Sequence, residues 1–305
     1  MSDDRLAALL AAGEHETFRG RPPDAVPVLE QAVLLARAQD QPAELAAAAW
    51  MLGVALAAGG RYGSALTVLT PLLDAADAPG ALPERRLFGA LAGSTAAGVH
   101  RQLGRHAVAR EADLAALELA GPVVEARFDA LLGLASDAVG LDDPTGAADR
   151  LAAARDLVPP AGGQWWRQRV RLGWTGAAVA LAQGEPAAAA ELARQAAELA
   201  EAAGASRHRA KALLVRGIAE LGLDEGDPVG ALREAATLAE SLAALPLVWP
   251  SRALLAALVA DSDADECRRS LAAARAAVLD VAADLPPRAR SRWLARTEVA
   301  ALLAG

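Results

Sequence analysis

The sequence predicts an all-α protein built as a solenoid of stacked helix pairs, and three observations carry that prediction. Hydrophobic residues make up 54% of the chain while aromatics reach only 3%, and alanine and leucine supply most of the apolar content. Alanine and leucine are strong helix formers, whereas the β-branched and aromatic residues that favour strands are scarce. A small turn residue recurs with an alanine five positions later. Proline then follows several of these turns, where it suits the first turn of a helix.

The elements follow in order from that recurrence. Gly20 leads to Ala25, Gly60 to Ala65, Gly104 to Ala109, Asp142 to Ala147, Gly184 to Ala189 and Gly226 to Ala231. The turns are spaced by 40, 44, 38, 42 and 42 residues, the regularity of a repeat array. Each turn lies between two Ala-rich stretches of helical period. Glycine after the first helix accepts the left-handed conformation that closes it, and the small residue at +5 lets two antiparallel helices approach. A seventh pair carries the acidic turn "DSDAD" (261–265), and a last helix over about 288–303 is expected to close the array. Pro- and Gly-containing links are expected at 77–83, 120–122, 158–163, 243–250 and 284–287. The whole chain, 1–305, reads as one domain, with its flexible link near 158–164.

The second unit carries Leu52, Gly53, Leu56, Gly60, Tyr62, Ala65 and Leu69 at the spacing of a known signature. It resembles the tetratricopeptide repeat (TPR). Other copies depart from it, with His106 or Pro186 at the aromatic position and Asp113 or Ala193 at the later apolar one. The period of about 42 also exceeds the roughly 34 residues usual for that repeat. The resemblance implies a right-handed superhelix of about seven TPR-like pairs, the first helix of each lining a concave groove. The stretch Ala274–Gly305 resembles the end of repeat regions in actinobacterial LuxR-type and ATPase signalling regulators. No phosphate-cradling Gly-x-x-x-x-Gly-Lys-Ser/Thr run accompanies it here.

Charge and motifs bound the function. A net charge of −8 argues against general nucleic-acid binding. Apolar runs are interrupted well before a membrane-spanning length, and the acidic start "MSDDRLAALL" is unlike a secretory signal, so a cytoplasmic protein is expected. Cys267 is the single cysteine, and His15, His100, His106 and His208 are scattered, so neither a disulfide nor a metal site is expected. His100 and His106 read as solvated helix ends. No nucleophile elbow occurs. The expectation is a non-enzymatic protein without cofactor.

Aligning the units on the turn places a first inward stripe at Trp50, Ser94, Leu132, Trp174, Arg216 and Arg252. Glu220 falls in a second stripe and Arg171 in a third, and Arg101 reaches the rim. Trp and Arg are frequent binding anchors, so Trp50, Ser94, Arg101, Arg171, Trp174, Arg216, Glu220 and Arg252 form the candidate groove. Of the adjacent pair Trp165 and Trp166, one is expected in the core. Chaperone-binding TPR proteins clamp a terminal carboxylate with Lys and Asn; here asparagine is absent and Lys211 is the only lysine. Glu14, Asp129, Glu220 and Asp224 are expected to give the groove a mixed field. The reading is a scaffold or adaptor holding a protein or peptide, the rival being a sensor for a small molecule or signalling peptide. Self-association into a homodimer is the further partner expected.

Overall fold

The computed structural model describes residues 2–78, 80–159 and 162–304. Among them every regular element is helical, and the chain forms two compact units, Met1–Val158 and Pro159–Gly305. The boundary falls at the start of the "VPPAGG" link, part of which lies outside the described residues.

The N-terminal unit holds four antiparallel pairs: α1 (Ser2–Phe18) with α2 (Pro22–Ala38), α3 (Pro42–Ala58) with α4 (Tyr62–Ala76), α5 (Pro83–Gln102) with α6 (His106–Ala120), and α7 (Val124–Gly140) with α8 (Pro144–Asp156). The C-terminal unit opens on a 3₁₀ turn, Gly163–Trp165. Three pairs follow: α9 (Trp166–Ala182) with α10 (Pro186–Ala202), α11 (Ser206–Glu220) with α12 (Pro228–Ser241), and α13 (Leu245–Val259) with α14 (Ala264–Asp284). The seven pairs among the described residues match the expected number.

The turn logic holds in detail. All six alanines at +5 are buried: Ala25, Ala65, Ala109, Ala147, Ala189 and Ala231. Gly60, Gly104 and Gly184 take positive φ, and Asp142 does the same at φ 60°. After each, an amide reaches back five residues to a helix carbonyl, as Arg61 N–H does to Leu56 at 2.8 Å. Gly20 follows the end of α1 without positive φ, whereas Gly226 lies six residues beyond the end of α11 and does not close it. Asp40, Gly204 and Ala243 repeat the left-handed closure between pairs, so one device makes both kinds of turn. Pro22, Pro42, Pro83, Pro144, Pro186, Pro228 and Pro246 all sit at helix starts, where their missing N–H has no helical partner to lose.

Two expectations are corrected. The segment 243–250 is not a link: helix α13 begins at Leu245, with Pro246 in its first turn and Pro250 tolerated within. The closing helix over 288–303 is two short helices, α15 (Pro287–Leu294) and α16 (Thr297–Ala304). Trp293 is buried and donates its indole N–H to Val278 O at 3.4 Å, which ties α15 across α14. Arg290 donates to the carbonyls of Ala282, Ala283 and Leu285, satisfying the C-terminal end of α14.

Within each unit the first helices of successive pairs also pack on one another: α1 with α3, α3 with α5, α5 with α7, and α9 with α11, α11 with α13. The second helices lack comparable packing. First helices that crowd while second helices fan apart curve each stack, with the first helices on the inner side.

Candidate functional site

In the N-terminal unit α5, α6 and α7 enclose an ionic cluster. Arg101, at the end of α5, donates to Asp113 Oδ2 at 2.5 Å and to Asp137 Oδ2 at 3.1 Å. Both carboxylates are fully buried, one on α6 and one on α7. His106 Nδ1 lies 3.9 Å from Asp137 Oδ1. Burial raises the Asp113 carboxyl to about 7, against the opposing pull of Arg101; the neighbouring Asp137 adds to the rise. Burial also lowers His100, helped by Arg105 and Arg101 and opposed by Asp137. His100 and His106 are therefore half-buried parts of this cluster rather than solvated helix ends. Gly133 and Gly140 make the room: a Cβ at the first would run into Asp113, and one at the second into the His106 ring.

Trp50 of α3 is half-buried. It donates to Thr95 Oγ1 at 3.2 Å, lies 6.4 Å from the Phe18 ring and packs beside Leu69, Ala92 and Ala96. It joins three inner helices, which is a packing role in itself. Ser94 is half-buried with its hydroxyl inside the protein.

The C-terminal unit has a different centre. His208 of α11 is buried between two indoles of α9, edge-on to Trp166 at 5.2 Å and stacked on Trp174 at 5.5 Å. Burial holds its pKa well below the usual histidine value, and the charges of Arg207, Arg167 and Arg171 push the same way. Lys211, one turn further along α11, is lowered to about 8 by burial and by Arg207. Trp166 packs against the main apolar cluster of this unit, and Trp165 is half-buried in the 3₁₀ turn.

The other candidates of this unit are tied to the protein itself. Arg216 Nε donates to Glu220 Oε1 at 2.6 Å, and Glu220 Oε2 accepts the Asp227 N–H at 3.1 Å. Arg252 grips Glu240 through two bonds of 2.7 and 2.6 Å. Of the first inward stripe, Leu132 is buried and the other five are half-buried. The structure brings Arg171 and Trp174 together around His208, while Arg216 and Arg252 engage carboxylates elsewhere in the unit. Sequence reasoning misses Asp137, His208, Trp166 and Lys211 as site residues. The signal for the first cluster lies in His106 and Asp113, two polar residues at positions the repeat reserves for aromatic and large apolar side chains.

Among the described residues no group of three His, Cys, Asp or Glu side chains is placed to hold a metal ion. Among them, too, no helix is long and apolar enough to cross a membrane. Cys267 is free and packs against the core of its unit.

No protein-family model matches the chain, and no curated protein matches it in sequence. Solved structures do. A Rap protein complexed with competence and sporulation factor aligns with 100% of this chain and 89% of its own, with a TM-score of 0.65 and 12% identity. The apo form of RapI aligns with 92% of this chain and 77% of its own, with a TM-score of 0.49 and 13% identity. The fold is a TPR-like helical-repeat solenoid. At this identity the likeness speaks for the fold.

Proposed function

We propose that the protein is a non-enzymatic interaction scaffold or adaptor whose inner helices hold a protein or peptide partner. The supporting observation is that α9 and α11 gather two tryptophans, a histidine and several cations on neighbouring inner helices of one unit. Large aromatic and arginine side chains are the usual anchors of protein interfaces. A fold neighbour solved with a bound factor agrees with this use of the architecture. It also favours the second reading, a sensor in which a signalling peptide alters the curvature of the stack. Reading 1–305 as one continuous array, working in the cytoplasm and akin to the repeat regions of actinobacterial signalling regulators, belongs to the same proposal. So does the assignment of Trp50, Ser94, Arg101, Arg171, Trp174, Arg216, Glu220 and Arg252 to the groove.

Photo-crosslinking from single sites tests it. A photoreactive amino acid replaces Arg171 on α9 or, as the control, the exposed Glu198 on α10. In the native host, adducts to one partner are expected from position 171 and not from 198. Adducts from 198 alone would move binding to the outer helices and sink the groove reading.

A further inference from the structure

In the N-terminal unit the second helices α6 and α8 each pack on α7 without comparable packing on one another. Between them, over α7, opens a hollow of about 280 Å³. Leu134 and Ala138, one turn apart on α7, make its buried floor. Leu114 of α6 and Leu141 at the end of α7 make apolar walls, although they are 41% and 40% exposed. Among the described residues of this unit, only Leu34 and Leu82 are large apolar side chains as open to solvent. Gly146 lines the α8 side without a side chain to fill the space.

Two guanidinium groups flank this apolar surface, Arg110 from α6 and Arg150 from α8. Both are exposed, and neither forms a hydrogen bond or ion pair with any described residue. The repeat register marks both as departures. Six residues after the turn, where α6 has Arg110, the other pairs carry Val26, Leu66, Ala148, Ala190 and Leu232. Eight residues after it, where α8 has Arg150, they carry Val28, Val68, Ala112, Leu192 and Glu234. Asp143 is the acid among the lining residues, and its Oδ1 accepts the Gly146 N–H at 2.9 Å to cap α8. It stands about 10 Å along the helix from Arg150. Glu111 and Asp149, beside the two arginines in the chain, do not line the hollow. A bare anion here would leave the leucines in water, and a neutral chain would leave the guanidinium groups unmatched. A carboxylate accepts paired N–H bonds from arginine, and an aliphatic chain gains by covering exposed leucine.

We propose that the hollow between α6 and α8 binds a small aliphatic carboxylate, its chain on the leucines and its head group between Arg110 and Arg150. The volume falls just below the roughly 300–1,000 Å³ of pockets for drug-sized ligands, which sets the ligand near the size of hexanoate. The site lies on the second helices, so it adds a small ligand to the interaction reading without resting on it.

Saturation-transfer NMR on the full chain at neutral pH tests it with four probes: hexanoate, hexanol, acetate and a capped Leu-Glu-Glu-Leu peptide. Hexanoate is expected to bind saturably, with transfer strongest at its chain protons, and hexanol and acetate much more weakly. Arg150→Gln is expected to weaken hexanoate by about fivefold, the most one exposed charge pair supplies, with helicity unchanged. Leu114→Gln, also on the surface, should weaken it through the chain instead. Arg155→Gln, on α8 outside the hollow, should leave it unchanged. Equal binding of hexanol, or equal loss in Arg155→Gln, would overturn the proposal by removing the role of the two arginines. So would hexanoate binding that survives both Arg150→Gln and Leu114→Gln, or no saturable binding at all. Saturable binding of the peptide without hexanoate would make the hollow a protein-docking site and overturn the small-ligand assignment.

Discussion

The two units share one helix-pair frame yet bury opposite kinds of titratable group. The N-terminal unit encloses two carboxylates around Arg101, and burial pushes Asp113 up. The C-terminal unit encloses a histidine between indoles and crowds cations near it, and burial pushes His208 and Lys211 down. The cause is the same in both, since a medium of low polarity disfavours the charged form whichever sign it has. A repeat frame therefore fixes where helices sit, and a few departures from its consensus decide the electrostatics of each stretch.

The largest effect is expected where the buried carboxylates of the N-terminal cluster lose their arginine. Arg101→Met leaves Asp113 and Asp137 buried without their partner, and such a loss costs about 3–5 kcal/mol. Hydrogen exchange read by mass spectrometry should show it as lost protection in α5, α6 and α7. Replacing all three residues by apolar ones of similar volume is expected to recover most of the stability, because the carboxylates no longer need a partner. Equal loss of protection in α9–α14 would show that the two units do not respond separately.

In their pH dependence the two clusters slope in opposite directions. Asp113 titrates near 3.8 when unfolded and at about 7 when folded. Between those values the folded chain holds a proton the unfolded chain has released, so raising the pH favours unfolding. His208 shows the reverse. Unfolded, it takes up a proton near 6.5, whereas folded it resists until well below that value. Its contribution to stability is present above 6.5 and is lost as the pH falls beneath it. Lys211 adds a second rise with pH, between about 8 folded and 10.5 unfolded. Urea unfolding from pH 4 to 10 should show Asp113→Asn flattening the decline between about 4 and 7. His208→Gln should remove part of the acid-side loss. An unchanged slope in Asp113→Asn would mean the carboxylate is ionised throughout.

Much of the architecture is legible in the amino-acid sequence, because a turn every 40 or so residues and a small residue at +5 are steric demands that a sequence displays. The helix-start prolines are legible for the same reason. Pro246 misleads, since proline reads as punctuation while the first turn of a helix tolerates it, and Pro250 misleads because it sits inside the helix. The closing segment misleads because the tie of Trp293 to Val278 is a long-range contact with no local signature. At the sites, residue type alone singles out Arg101 and Trp174, but their partners depend on which helices become neighbours. Asp137 and His208 sit in runs that look like ordinary helix, and only packing makes them buried.

Close helix approach gives a smaller test that applies to both units. A Cβ on Gly53 of α3 would fall 2.5 Å from Leu69 Cδ2 on α4, and one on Gly217 of α11 would fall 2.7 Å from Leu232 Cγ on α12. Both leucines are fully buried and have little room to move. Overpacking of this kind costs about 1–3 kcal/mol, offset by the roughly 1 kcal/mol that alanine gains over glycine in a helix. Gly53→Ala and Gly217→Ala should each lower the denaturation midpoint modestly and by similar amounts. A gain in either would mean that its helix pair separates freely, and that the pairing is looser in that unit.

The smallest effect concerns the left-handed closures. The N-terminal unit uses Asp40 and Asp142 at two of them, at φ 52° and 60°, and a short polar side chain bears that conformation better than most. The C-terminal unit places Ala243 there at φ 49°, with no side-chain group to compensate. The left-handed region costs an L-residue such as alanine about 1–2 kcal/mol, and glycine escapes that cost while losing more chain entropy on folding. Ala243→Gly is therefore expected to stabilise by about 0.5–1 kcal/mol, the net of the two terms. Asp142→Gly should gain less, since aspartate already tolerates the turn. Thermal unfolding of the two variants orders the effects. A larger gain at Asp142 than at Ala243 would mean that the strain lies in the N-terminal closures instead.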